Sequence, residues 1–435
     1  MPDIRFYDKY AIWIIIVLFI LFVIIGIFIG FREKCINVSR YALSRIKVRH
    51  SFSGHIHFHV LGMHISMILV WIILASSCRI IYNIPDITDY RIFPYRIIHH
   101  APGSIFYFTR SDHINDLGKE VKANNNYLLP DFVTLDEYIA SSKTAAFLII
   151  RNDTLLYEKY NRNYQENSIF NIFFITKAFM TTLVGIAIDE GLISSVDQAI
   201  TDYIPELTKI EGFHEITIRH LLLHTSGIKF SDTKFNPFSD NARYYYGRNL
   251  RKLVRKAKLY EKPGKEIRYS SANVQLLGLM LERATGTDIS TYLQEKVWQK
   301  IGMQYDARWN VDNRRKKPVE KCFSNLNCTA IDLAKLGRLY LNNGYWDNQP
   351  ILSEKFIYEA TCRDTTDGSS LNFQYNFSPG PRPYDSFYAS GLFGQLLLIH
   401  PGENIIIVRV GEPDLNYNPQ FIRNNIFRII DQIAE

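Results

Sequence analysis

A chain of 435 residues, 47% of them hydrophobic and with a formal charge of +7, is long enough for one large domain with accessory segments. The charge is local: residues 31–50 hold six Lys/Arg against one acid, residues 1–10 balance, and everything after residue 50 carries only +2. That average argues against a nucleic-acid partner, which needs a basic stripe on a folded domain, and the five cysteines fit no metal-site spacing, so neither metal nor cofactor is expected.

Residues 11–31 form an uncharged run of 21, rich in Ile, Val, Leu and Phe, enough helix for about 30 Å of bilayer. A cleaved signal peptide would need a basic start and a small-x-small cleavage site, and this run has neither. Residues 60–78 make a second, shorter candidate that contains His64 and Trp71 and ends before Arg79. The basic loop between the two runs predicts that residues 32–55 are cytoplasmic and that everything past residue 80 faces outward. Expected, then, is a multi-pass anchor over residues 1–82 in a cell membrane, with the large domain on the periplasmic or extracellular side. His55, His57 and His59 alternate beside this anchor without an acidic or thiol companion, a pattern that suits interfacial imidazoles better than a metal site.

Residues 83–130, with Pro85, Pro94, Pro102 and Pro130, read as a lead-in carrying one or two strands. The domain then opens over 131–435 with a short helix near residues 135–142. A hairpin follows, AAFLIIR and TLLYEKY joined at Asn152-Asp153. Residues 170–191 predict a helix apolar on nearly every side, C-capped at Gly191, and therefore central to the domain. One cation, Lys177, sits inside it. At the far end GQLLLIH and NIIIVRV flank Pro401-Gly402 as a second hairpin, and residues 421–434 close the chain as an amphipathic helix. Strands at both ends with a helical middle predict an α+β domain: an antiparallel sheet from both chain ends with helices packed on it. Cys322 and Cys328 are spaced for a small disulfide or for two unpaired thiols, and both readings stand at this stage.

Four stretches carry chemistry: FFITKAF around Lys177, ITIRHLLLHTSGI at 216–228, YSSANVQLLGLMLERATG at 269–286 and GLFGQLLLIHPGENIIIVRVG at 391–411. In order and spacing they resemble the serine β-lactamase and penicillin-binding-protein superfamily, and within it the class C-type esterase and nylon-oligomer (6-aminohexanoate-dimer) hydrolase branch. The resemblance covers about residues 131–435. It implies a lysine that takes the proton of a serine three residues earlier, since i and i+3 share a helical face. By position Lys177 matches that lysine, Tyr269 the proton-relaying tyrosine, and Ser271 completes Y-x-S. The resemblance also implies an oxyanion hole from the backbone N–H groups of Phe174 and Leu392, with Gly391, Phe393, Gly394 and Gln395 lining the cleft.

The departures are as informative. The nucleophile position holds Phe174, and the K-T-G lysine that would grip a β-lactam carboxylate is missing. Thr176 is turned about 200° from the required face, and Ser168 precedes the helix. The expectation is a pseudoenzyme that binds a peptide, amide or cell-wall ligand; the alternative is an active amide or ester hydrolase with a rearranged nucleophile. Lys177 and Tyr269 also have plain structural readings, as a satisfied buried lysine and a core aromatic. His220 and His224 read as turn chemistry beside Thr225-Ser226-Gly227, and nothing in the sequence places a base beside Ser226.

Overall fold

The computed structural model describes residues 83–126, 131–233, 235–315, 317–362, 375–381, 383–414 and 418–434. The two expected membrane runs and His55, His57, His59 and His64 lie outside them. Among the described residues no helix is long and apolar enough to cross a membrane.

Asn152 and Asp153 both adopt left-handed backbone, φ 52° and 57°, which is what a tight hairpin turn demands and what Asn and Asp tolerate best. They join Thr144–Arg151 to Thr154–Tyr160. The far hairpin pairs Leu396–His400 with Ile405–Gly411 through a turn closed by Asn404 at φ 53°. These two hairpins meet along an antiparallel seam, with Ile407 opposite Ile149 and Val408 opposite Leu148. Strands from the two ends of the domain therefore form the middle of a seven-stranded sheet, extended by Phe387–Ser390 and Ser378–Pro379 on one side.

Side chains alternate between the two faces of this sheet. Phe147, Ile149, Leu398 and Ile407 pack under Tyr138 of the helix Leu135–Ser141 and under Ile426 and Ile430 of the terminal helix Pro419–Ala434. Ala146, Leu148, Leu397 and Val408 turn to the main core, which holds the helices Thr176–Asp189, Ser271–Thr285 and Ala330–Leu341. The helix Leu135–Ser141 starts on a capping box, Thr134 with Glu137. Thr176–Asp189 is buried from Thr176 to Ala187 and ends on left-handed Gly191, where the N–H groups of Gly191 and Leu192 donate to the carbonyls of Ile188 and Ala187.

The lead-in supplies strands to the domain's sheets. Tyr95–Ile98 pairs with Ala307–Asn310 in a four-stranded sheet, and Thr109–Arg110 adds a parallel edge strand to the main sheet. Arg96 reaches the buried Glu320, which fastens the first of these strands to the core. Cys322 and Cys328 are separate buried thiols, so the disulfide reading falls.

The helix Ala330–Leu341 is pinned by a fully buried pair, Lys335 Nζ 3.2 Å from Asp332 Oδ1. The carboxylate also accepts from the N–H groups of Gln304 at 2.6 Å and Tyr305 at 3.0 Å, while Lys335 donates to the Gly302 carbonyl at 2.8 Å. Asp332→Ala strands a buried ammonium and two backbone donors. It is expected to cost about 3–5 kcal/mol, read as a shifted midpoint in urea unfolding.

Candidate active site

The core helix is entered through a 3₁₀ turn, Phe173–Ile175. Phe173 takes φ 46° there and donates its N–H to Asn171 Oδ1 at 2.9 Å. Across the turn Phe393 is also left-handed, at φ 61°, and the two rings pack edge to face with centroids 5.4 Å apart. Two bulky residues in this region of backbone are strained, and such strain persists only where surroundings impose it. The contact presses the Ile172–Phe174 turn against Gly391, whose absent Cβ would lie 2.8 Å from the Ile172 carbonyl oxygen. The two backbone segments expected to supply oxyanion donors are thus neighbours.

One helical turn after Phe174 comes Lys177. Phe174 is 5% exposed and Lys177 2% exposed. The ammonium lies 3.7 Å from the centroid of the Tyr269 ring and 5.0 Å from that of Phe174, and these two rings meet edge to face at 6.3 Å. A desolvated cation over aromatic faces is stabilised by the ring quadrupoles, by about 2 kcal/mol in such a setting. Tyr269 keeps its proton at neutral pH: burial, and next the charge of Asp232, raise its phenol well above the ordinary value.

Tyr269 also packs on the His224 ring, centroids 4.7 Å apart. His224 is fully buried, and its Nδ1 accepts from the Ser270 N–H at 3.3 Å. That leaves the proton on Nε2, which donates to Asn376 Oδ1 at 3.0 Å. Asn376 in turn donates to Thr181 Oγ1 on the core helix at 3.0 Å. Burial first, and then the charge of Lys177, push the His224 imidazole down to about 3, so it is neutral at physiological pH. Reading His224 as turn chemistry alone is therefore incomplete. Its ring packs on Tyr269 and is tied through Asn376 to Thr181 of the core helix. His220 is the local one: its Nδ1 accepts from the Thr217 N–H at 3.1 Å.

The hydroxyls considered from sequence are engaged elsewhere. Ser271 donates to Asp232 Oδ1 at 3.2 Å and Ser226 to Asn273 Oδ1 at 2.7 Å. Thr176 Oγ1 accepts from the Leu326 N–H at 3.2 Å, and Ser168 Oγ from the Gln165 N–H at 2.8 Å. Asn376 and Asp232 escaped the sequence reading, and so did the packing of His224 beyond its turn, because these contacts span 39 to 152 residues of chain.

The residues expected to line a cleft divide. Phe393 and Leu392 are buried against the entry turn, but Gln395 is fully buried and donates to the carbonyls of Asn171 and Gly411, which makes it a strut. Gly394 faces the buried guanidinium of Arg409, whose Nη1 would lie 2.1 Å from an added Cβ, at a backbone φ of 82°. Gly394→Ala is expected to lose about 1–3 kcal/mol in a thermal melt through this overpacking.

Fold and site together define the class: a hydrolase-like α+β domain of the serine β-lactamase and penicillin-binding-protein superfamily. The chain belongs to the beta-lactamase family, whose model matches residues 134–411. It is 25% identical over 314 residues to the 6-aminohexanoate-dimer hydrolase of Paenarthrobacter ureafaciens, covering 66% of this chain and 78% of that protein. Among solved structures, a Bacillus anthracis protein assigned as a 6-aminohexanoate-dimer hydrolase superposes with a TM-score of 0.70 at 21% identity, over 82% of this chain and 94% of the other. A penicillin-binding protein homologue from Pyrococcus abyssi gives 0.53 at 17% identity, over 68% and 75% of the two chains. At these identities the structural likeness speaks for the fold alone.

Proposed function

We propose that the chain is a pseudoenzyme with respect to serine acylation, held at a membrane by residues 1–82 with the family domain facing outward, and that it binds a peptide, amide or cell-wall ligand. The single observation that carries this is the cage of Lys177. Its ammonium sits between the Phe174 and Tyr269 rings, and the residue one helical turn before it offers an aromatic face in place of a hydroxyl. A serine nucleophile works only beside a base that can receive its proton, and a lysine serves as that base only when it can shed its own. Here the lysine is present with no hydroxyl at the matching position. The Paenarthrobacter ureafaciens relative, named for 6-aminohexanoate-dimer hydrolysis, supports a linear amide or peptide as the ligand class.

The test is exposure of the intact chain to a fluorophosphonate, followed by mapping of any adduct. The expected result is an unmodified protein. A stoichiometric adduct would overturn the pseudoenzyme reading in favour of an active amide or ester hydrolase with a rearranged nucleophile. One contact favours that alternative, the Ser271 hydroxyl on the Asp232 carboxylate, so Ser271 is where such an adduct would be sought first.

A further inference from the structure

Between the helices Ile218–Leu222 and Ser271–Thr285 the chain makes an excursion over residues 229–268. It holds twelve Lys/Arg against four Asp/Glu, a balance of +8, in a chain whose total is +7. The modest charge averaged past residue 50 therefore conceals a strongly basic stretch, in which Arg243, Arg251, Arg255 and Arg268 are ion-paired. Lys229, Lys252, Lys256, Lys258, Lys262 and Lys265 are all exposed, and among the described residues none of them forms an ion pair. The two limbs of the excursion are joined backbone to backbone, Lys229 N–H to the Lys258 carbonyl at 2.8 Å and Tyr260 N–H to the Gly227 carbonyl at 2.8 Å.

Large apolar rings protrude from the same excursion. Phe238 is 74% exposed, Tyr260 64% and Phe235 53%, an unfavourable display toward water. The chain's own connectivity says what they meet. Asn83 donates to the carbonyl of Pro237 at 3.4 Å, and it follows the apolar run 60–78 by only five residues, at most about 18 Å of chain. If that run spans a bilayer, this tether is too short to carry Asn83, and the Pro237 carbonyl of the loop 235–238 bonded to it, far from the end of the span. Phe235 also packs on Phe393 at 6.1 Å, and Phe393 packs on Phe173, so this loop borders the candidate site.

We infer that the excursion 229–268 docks on a bilayer containing anionic phospholipid, Phe235 and Phe238 entering the interfacial zone and the lysines resting among the phosphate headgroups. The inference rests on the anchored reading above. Aromatic rings favour the interface, and each cation held near an anionic leaflet strengthens attachment about fivefold. A nucleic acid would also attract the lysines, but it leaves the exposed rings of Phe235 and Phe238 unexplained, and the short chain tether from the apolar run to Asn83 favours lipid.

The full chain is reconstituted in phosphatidylglycerol vesicles with the photoreactive residue benzoylphenylalanine in place of Phe238 or, in a second preparation, of Tyr358, which is 70% exposed on another helix. The expected result is a phospholipid-mass adduct at position 238 and none at 358. The adduct should weaken about fivefold or more in phosphatidylcholine vesicles and in the K256Q/K258Q/K262Q background. No adduct at 238, or an equal one at 358, overturns the inference; if the chain still resists alkaline carbonate, anchoring survives that failure. An adduct at 238 on a chain that carbonate strips off leaves docking standing and removes the anchor. Transfer of the adduct to an added single-stranded oligonucleotide, with vesicles present, overturns the inference in favour of nucleic acid.

Discussion

Phe174→Ser is expected to hydrolyse a p-nitrophenyl ester at least about 10²-fold faster than the wild-type chain, because the variant puts a hydroxyl one helical turn before Lys177. The surroundings are already arranged: Lys177 is 2% exposed, Tyr269 lies against it, and the turns that carry the Phe174 and Leu392 N–H groups abut. Removing the ring also frees the volume into which a substrate carbonyl must come. The cavity costs about 3–5 kcal/mol of stability, so Phe174→Ala is the control with the same cavity and no hydroxyl. Activity in the serine variant alone, abolished again by adding Lys177→Met, is the expected pattern. A folded Phe174→Ser chain no faster than Phe174→Ala would mean that the rest of the site does not support acylation.

The second large effect is acid instability from His224. Its imidazole is held at about 3 in the folded chain by burial and by the charge of Lys177, against about 6.5 for an unfolded histidine. With the folded value depressed, the unfolded chain takes up the proton first as pH falls. The stability associated with neutral His224 is complete above pH 6.5 and drains away down to pH 3, a loss of about 4–5 kcal/mol over the window. Urea midpoints measured from pH 7 to pH 4 should therefore fall. In His224→Gln, which keeps an amide to bond Asn376 but has no titrating ring, the slope above pH 4.5 should flatten. An unchanged slope in that variant would place the acid sensitivity elsewhere.

Local signals made most of the scaffold legible in the sequence. Asn152-Asp153 marked a hairpin because few other pairs accept two left-handed residues in succession, and the run ending at Gly191 marked a buried helix because it has no polar face. That Lys177 and Tyr269 meet followed the motif spacing. Long-range pairing was not. Tyr95–Ile98 is only four residues long and finds its partner strand more than 200 residues away, so it read as part of a lead-in. Gln395 read as a cleft residue because its neighbours carry the motif, whereas its amide points into the sheet to bond two carbonyls. The packing of His224 beyond its turn was hidden for the same reason as Asn376: the chain segments that bring them together meet only in three dimensions. The basic excursion was lost to averaging, since acids elsewhere cancel its charge.

The central claim is that position 174, one helical turn before Lys177, offers it no hydroxyl to activate in the natural chain. It is tested most directly by comparing wild type with Lys177→Met on an activated ester and on a linear amide of the 6-aminohexanoate type. Indistinguishable rates, both near the uncatalysed background, are what the proposed reading predicts. Turnover by the wild type that disappears in Lys177→Met would contradict it and show that the lysine still serves a nucleophile.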